Sequence, residues 1–194
     1  MDQQDVFQMA ALLLTYPEAD WFVTELEDVK SWIGATKDTE PSTRYLKEAV
    51  STLAGTPNAV LTREYVDTFD FDEKRALYLT AHEYGDKRER GTALVELRQL
   101  LMKSGYEEIE GELPDYLPLL LEFLAENPDA GRELDLQGRI RQVCRTIVEH
   151  LLENSPYQSV FAALLEVLPE AMAGAVPEAR NLIDEEVPYP ITFE

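Results

Sequence analysis

Cysteine occurs once in the chain, at Cys144, which excludes an internal disulfide framework and a zinc site built on cysteines. Histidine occurs twice, at His82 and His150, leaving little imidazole for a metal centre. Basic residues are scarce: 17 Lys and Arg stand against 38 Asp and Glu, a net charge of −21 over 194 residues. Affinity for nucleic acid comes mainly from neutralising phosphates, so a polyanion of this kind is excluded from that class, and an anionic membrane surface is disfavoured for the same reason. Long apolar runs are missing. Residues 1–17, MDQQDVFQMAALLLTYP, have no positive leading region and too short an apolar stretch to span a bilayer. The expectation is a cytoplasmic chain without a signal peptide or membrane insertion. Phosphate-cradling glycine loops, the G-x-S-x-G elbow and H-E-x-x-H are also absent; His82-Glu83 starts the last of these, but no second histidine follows.

What is present is an apolar fraction of 45%, enough for a buried core despite the acidity. Helical periodicity runs through nearly every segment. Val6, Met9, Ala10, Leu13 and Leu14 form one stripe over residues 5–15. Trp21, Phe22, Leu26, Val29, Trp32 and Ile33 share a side over 20–34, with Asp20 as a candidate N-cap and Gly34 as a stop. Pro41 and Gly55 bracket the next helix, and Thr56-Pro57-Asn58 opens another to about Phe69. Two helices joined near Gly85 are expected within 65–105, with Asp86 and Glu89 at capping-box spacing. Further helices are expected from Pro114 to about Asn127, over 132–153, and from Ser155-Pro156 to about Met172. No strand alternation is found. The fold class is therefore all-α: seven to nine helices in a single globular domain, residues 1–175. An acidic, proline-containing tail, 176–194, is expected to be extended or disordered.

The charge is unevenly placed. Residues 63–105 hold eight basic and nine acidic residues, so nearly the whole negative charge lies elsewhere. Such a surface is either a solvated rim or one side of a site that receives a basic segment. Tyr65 and Phe69 lie one turn apart among Asp67 and Asp70, a pattern that serves core packing or a groove for a cationic helix. Tyr78 and His82 share a face, and Asp86 and Arg90 are one turn apart and able to pair. Glu112, Pro114, Asp115 and Tyr116 stand at a helix start, where Asp115 is a favourable first-turn anion. Leu119 and Glu122 follow Asp115 at four and seven, giving a face that alternates acid, apolar, acid. Cys144 lies on an apolar face and reads as core; His150, near a helix end, reads as structural.

At these residues the sequence resembles the NarJ family, assembly chaperones of respiratory nitrate reductase within the wider TorD- and DmsD-like group of redox-enzyme maturation chaperones. The segments that carry the resemblance are YVDTFDFDEKRALYLTAHEYGDKRERGTALVELRQLL and ELPDYLPLLLEF, about residues 65–123. The resemblance implies a TorD-like helical bundle. It implies a non-enzymatic chaperone that binds a basic, amphipathic N-terminal segment of the apo catalytic subunit and keeps it competent for molybdenum cofactor insertion. No cofactor or metal of its own is implied, and the chain is expected to be a monomer or dimer. Tyr65, Asp67, Phe69, Asp70, Tyr78, His82, Gly85, Asp86, Arg88, Arg90, Gly91, Glu112, Pro114, Asp115 and Tyr116 fall on the family's motifs. With Leu119 and Glu122 they are the candidates for a peptide groove or its support, Arg88 and Arg90 ordering the groove wall. Tyr116 stands where TorD- and DmsD-like members carry a histidine, so no role of that histidine transfers. Three other readings remain open on the residues alone: a permanent helical subunit of the reductase complex, a small hydrolase using His82 with Asp86, and a chaperone that contacts the cofactor directly through the arginines of 63–105.

Overall fold

The computed structural model describes residues 1–37, 39–106 and 111–172, apart from the side chains of 19–21. The expected tail at 176–194 and the middle of the acidic loop lie outside the described residues. Among the described residues there are nine α-helices and no strand: α1 (Gln3–Leu13), α2 (Ala19–Ala35), α3 (Pro41–Ala54), α4 (Asn58–Phe69), α5 (Leu79–Tyr84), α6 (Glu89–Lys103), α7 (Leu117–Glu126), α8 (Leu136–His150) and α9 (Gln158–Val167), with a 3₁₀ turn at Arg132–Leu134.

Local chemistry sets the ends. Asp2 accepts the Asp5 amide at 2.8 Å while Asp5 accepts the Asp2 amide at 3.2 Å, so α1 starts two residues earlier than its apolar period alone indicates. Pro41 sits in the first turn of α3 and Gly55 follows its end, as expected. Other boundaries differ. Gly34 lies inside α2, and Glu18 rather than Asp20 precedes that helix. The segment after α4 leaves the helix because Asp72 folds it into a turn: its carboxylate accepts the Lys74 amide at 3.0 Å and its carbonyl the Arg75 amide at 2.8 Å. The capping box proposed at Asp86 and Glu89 does not form; Arg88 precedes α6 without a side-chain cap. The long helix expected over 132–153 breaks at Asp135, which adopts a left-handed conformation (φ 45°) and accepts the Met172 amide at 2.6 Å.

Helix α1 runs through the middle of the bundle. One side of it, with Val6, Phe7, Ala10, Leu13 and Leu14, is buried in the common core; α1 packs on α7, α9 and α3. Helix α3 packs on α9 and carries α2 on its other flank. Cys144 is fully buried in α8, and burial pushes its thiol up to about 12. A thiol reagent is therefore expected to label the native protein negligibly and to react fully in denaturant; rapid native labelling contradicts the packing of α8. No described helix is long and apolar enough to cross a membrane.

Candidate functional site

Helix α2 packs chiefly on α3 and stands off from α1 and α7. The gap is a groove of about 850 Å³ lined by α1 and the residues just after it (Asp5, Gln8, Met9, Ala11, Leu12, Thr15), α2 (Glu25, Asp28, Val29, Trp32), the segment leading into α7 (Glu112, Tyr116) and α7 itself (Pro118, Leu119, Glu122). Its floor is apolar. Five carboxylates fringe it, and no Lys, Arg or His is among the lining residues. Trp32 is 49% exposed, a large ring left half open at the groove wall.

Of the residues singled out in the sequence, Glu112, Tyr116, Leu119 and Glu122 line this groove. The rest stand behind it or apart from it. Tyr65 and Phe69, expected beside the trough, are buried at 5% and 4% exposure. Their rings lie edge to face 4.9 Å apart, and Phe69 meets Tyr157 at 4.8 Å, so this pair is core packing. Tyr65 reaches the groove only through its hydroxyl, 2.9 Å from that of Tyr116, while donating to the Leu14 carbonyl at 3.2 Å. Asp115 is the sharper correction. It precedes α7 rather than lying on its face, and it is 0% exposed. Its Oδ2 accepts the Thr80 amide at 3.0 Å and the Thr80 hydroxyl at 2.5 Å, with the Arg90 guanidinium 3.9 Å away. Arg90 also donates to the Thr80 hydroxyl at 3.2 Å, so it pairs here instead of with Asp86. Pro114 is buried beside Asp115, whereas Asp86 and Arg88 are exposed at the entry to α6.

A short backbone exchange locks this support to the groove edge. Leu79 donates to the Asp115 carbonyl and Leu117 to the Leu77 carbonyl, each at 2.9 Å. Tyr78 and Tyr116 face each other across it. The Tyr78 hydroxyl donates to Glu112 Oε1 at 3.2 Å, which also accepts the Leu113 amide at 2.9 Å, so the groove-edge carboxylate is held from behind. The two motif-bearing segments thus meet each other and orient Glu112 and Tyr116. Asp67 lies outside, in an exposed pair with Arg63 at 3.4 Å, and Asp70 is exposed at the end of α4 with burial of its surroundings raising its pKa. Sequence reasoning missed the α1 and α2 walls, and also a buried pair: Arg139 binds both carboxylate oxygens of Glu83 at 2.7 Å, joining α8 to α5.

His82 does not form a dyad with Asp86. Its Nε2 is 2.7 Å from the Ala76 carbonyl, and burial lowers its pKa against the smaller opposing pull of that carbonyl and Glu83. The unfolded chain, with an ordinary value near 6.5, takes a proton more readily than the native one. The stability this confers is complete above that value and is lost as pH falls through the lower native value. Denaturant titrations at pH 7.5 and 5.5 should show a smaller pH loss for His82→Gln than for the parent; equal losses contradict the burial argument.

Residues 35–163 match the family model described as nitrate reductase delta subunit, well over half of the chain. The chain belongs to this family, the NarJ family. Among curated members, the "Probable nitrate reductase molybdenum cofactor assembly chaperone NarJ" of Bacillus subtilis is 34% identical over 171 residues, 88% of this chain and 90% of that protein. NarJ of Escherichia coli K12, named with the same chaperone function, is 39% identical over 122 residues, 63% of this chain and 51% of its own length. A solved structure from Archaeoglobus fulgidus, a "Putative Redox Enzyme Maturation Protein", superposes with a TM-score of 0.64 at 21% identity and covers 85% of this chain and 92% of its own. That likeness shows the fold of the NarJ-family bundle: all-α.

Proposed function

We propose that the chain is a non-enzymatic chaperone of the cytoplasm that assists assembly of a nitrate reductase. It takes a basic, amphipathic segment at the N-terminus of the apo catalytic subunit and keeps that subunit open for molybdenum cofactor insertion. The naming of its relatives as assembly chaperones supports the general role. One observation carries the mode of binding: the groove between α1, α2 and α7 has an apolar floor, five carboxylates and no cation among its lining residues. Such a trough suits helix-in-groove recognition, with apolar anchors on the floor and cations against the rim. Exposed ion pairs contribute about 0.2–1 kcal/mol each, so the apolar anchors supply most of the affinity and the acids supply orientation and encounter rate.

The test is a pull-down from cells that make the apo catalytic subunit with or without its first few dozen residues. Capture of the full subunit and at least tenfold less of the truncated one is expected. Equal capture of both contradicts recognition through the N-terminal segment.

A further inference from the structure

The groove is walled on two sides, and the walls are acidic in different ways. Along α2, Glu25, Asp28, Val29 and Trp32 recur at three, four and seven residues, so they lie on one helix face, and all four line the groove. Glu25 and Asp28 are exposed and Trp32 is half exposed. The opposite wall is Glu112, Tyr116, Leu119 and Glu122, with Glu112 held by Tyr78. Between them lies the apolar floor of Met9, Ala11, Leu12 and Pro118. Taking a helix as a cylinder 10 Å across that rises 1.5 Å per residue, the groove holds about seven residues, or about two turns.

A helix lying in this trough meets carboxylates along both edges of its buried stripe. Cations on one edge only would leave the far wall unanswered, and an acid on either edge would face a like charge with no cation among the lining residues. We infer that the groove selects a short amphipathic helix whose narrow apolar stripe is bordered by Lys or Arg on both sides, and that α2, through Glu25, Asp28 and Trp32, reads the second border. This rests on the groove being the binding site proposed above. It goes further by assigning the reading of the second border to named residues of α2, Glu25, Asp28 and Trp32.

Three synthetic peptides of identical composition decide the matter. In one, lysines border both edges of a Leu/Phe stripe; in the second, all lysines lie along one edge; in the third, they occupy the face opposite the stripe. Titrations of the full chain in 50 mM and 300 mM salt compare them, with the catalytic subunit's own N-terminal peptide alongside. The two-edged peptide is expected to bind at least tenfold more tightly than either of the others at low salt, with the gap narrowing at high salt. The paired change Glu25→Gln and Asp28→Asn is expected to weaken the two-edged peptide at least fivefold more than the one-edged one, abolishing the preference for two edges over one. Trp32→Ala should weaken all three. Equal binding of the two-edged and one-edged peptides to the parent, or an unchanged preference in the α2 variant, overturns the inference even if the natural peptide binds. Failure of every peptide, the natural one included, overturns the groove itself along with it.

Discussion

Replacing Arg139 by Ala should cost about 3–5 kcal/mol of folding stability, the range expected when one member of a buried ion pair is removed. The side chain is 2% exposed and that of its partner Glu83 is 6% exposed, and the guanidinium answers both carboxylate oxygens at 2.7 Å. Without Arg139, Glu83 either stays charged without its partner or takes up a proton, and both are unfavourable in that setting. The pair joins α5 to α8, so its loss also loosens the segment that carries Leu79 and Thr80 to the groove edge. The double variant Glu83→Gln with Arg139→Met removes both charges and keeps volume, and it should be closer to the parent than Arg139→Ala. Urea unfolding measures all three. An Arg139→Ala loss below about 1 kcal/mol, typical of a surface pair, contradicts the burial.

Asp115→Ala should be the second severe change, at about 2–4 kcal/mol, because the Thr80 amide is left buried without an acceptor and Arg90 loses its counter-charge. Asp115→Asn keeps an acceptor oxygen and should cost less, about 1–2 kcal/mol. The two variants separate support from contact. Asp115 is sealed behind the groove, so folded Asp115→Asn should bind the catalytic subunit's N-terminal peptide within about twofold of the parent. Glu122→Gln, which removes a groove carboxylate, should weaken binding and lessen its salt dependence without loss of stability. A large affinity loss in Asp115→Asn at unchanged stability contradicts the placement.

The helical class was legible in the sequence because stripes at 3.6-residue spacing, Pro41, Gly55 and Pro57 act locally, and α3 and α4 begin and end where those residues indicate. Asp115 illustrates what was not. A carboxylate beside a proline-rich helix start reads as an exposed first-turn anion; what makes it a core residue is donation from Thr80, 35 positions away, which no local pattern encodes. Glu83 and Arg139, 56 residues apart, were hidden for the same reason. Trp32 was misplaced for a different one. It falls on the apolar side of α2 with Phe22, Leu26 and Ile33, and those three are buried while Trp32 stays half open. Periodicity identifies an apolar face, but it does not distinguish the part pressed against α3 from the part that looks across a groove. An acidic groove is present between α1, α2 and α7, but not where charge and motif placed it: its floor comes from α1 and from Pro118 of α7, while Tyr65, Phe69 and Asp115 are sealed in the core.

Chemical-shift mapping locates, residue by residue, where a cationic helical segment settles on the chain. The ¹⁵N-labelled full chain is titrated with the catalytic subunit's N-terminal peptide. The largest perturbations are expected on Gln8, Leu12, Glu25, Asp28, Trp32, Leu119 and Glu122, around the α1–α2–α7 trough. Perturbations concentrated on the exposed stretch of Asp67, Asp70 and Phe71, with the trough silent, would contradict it.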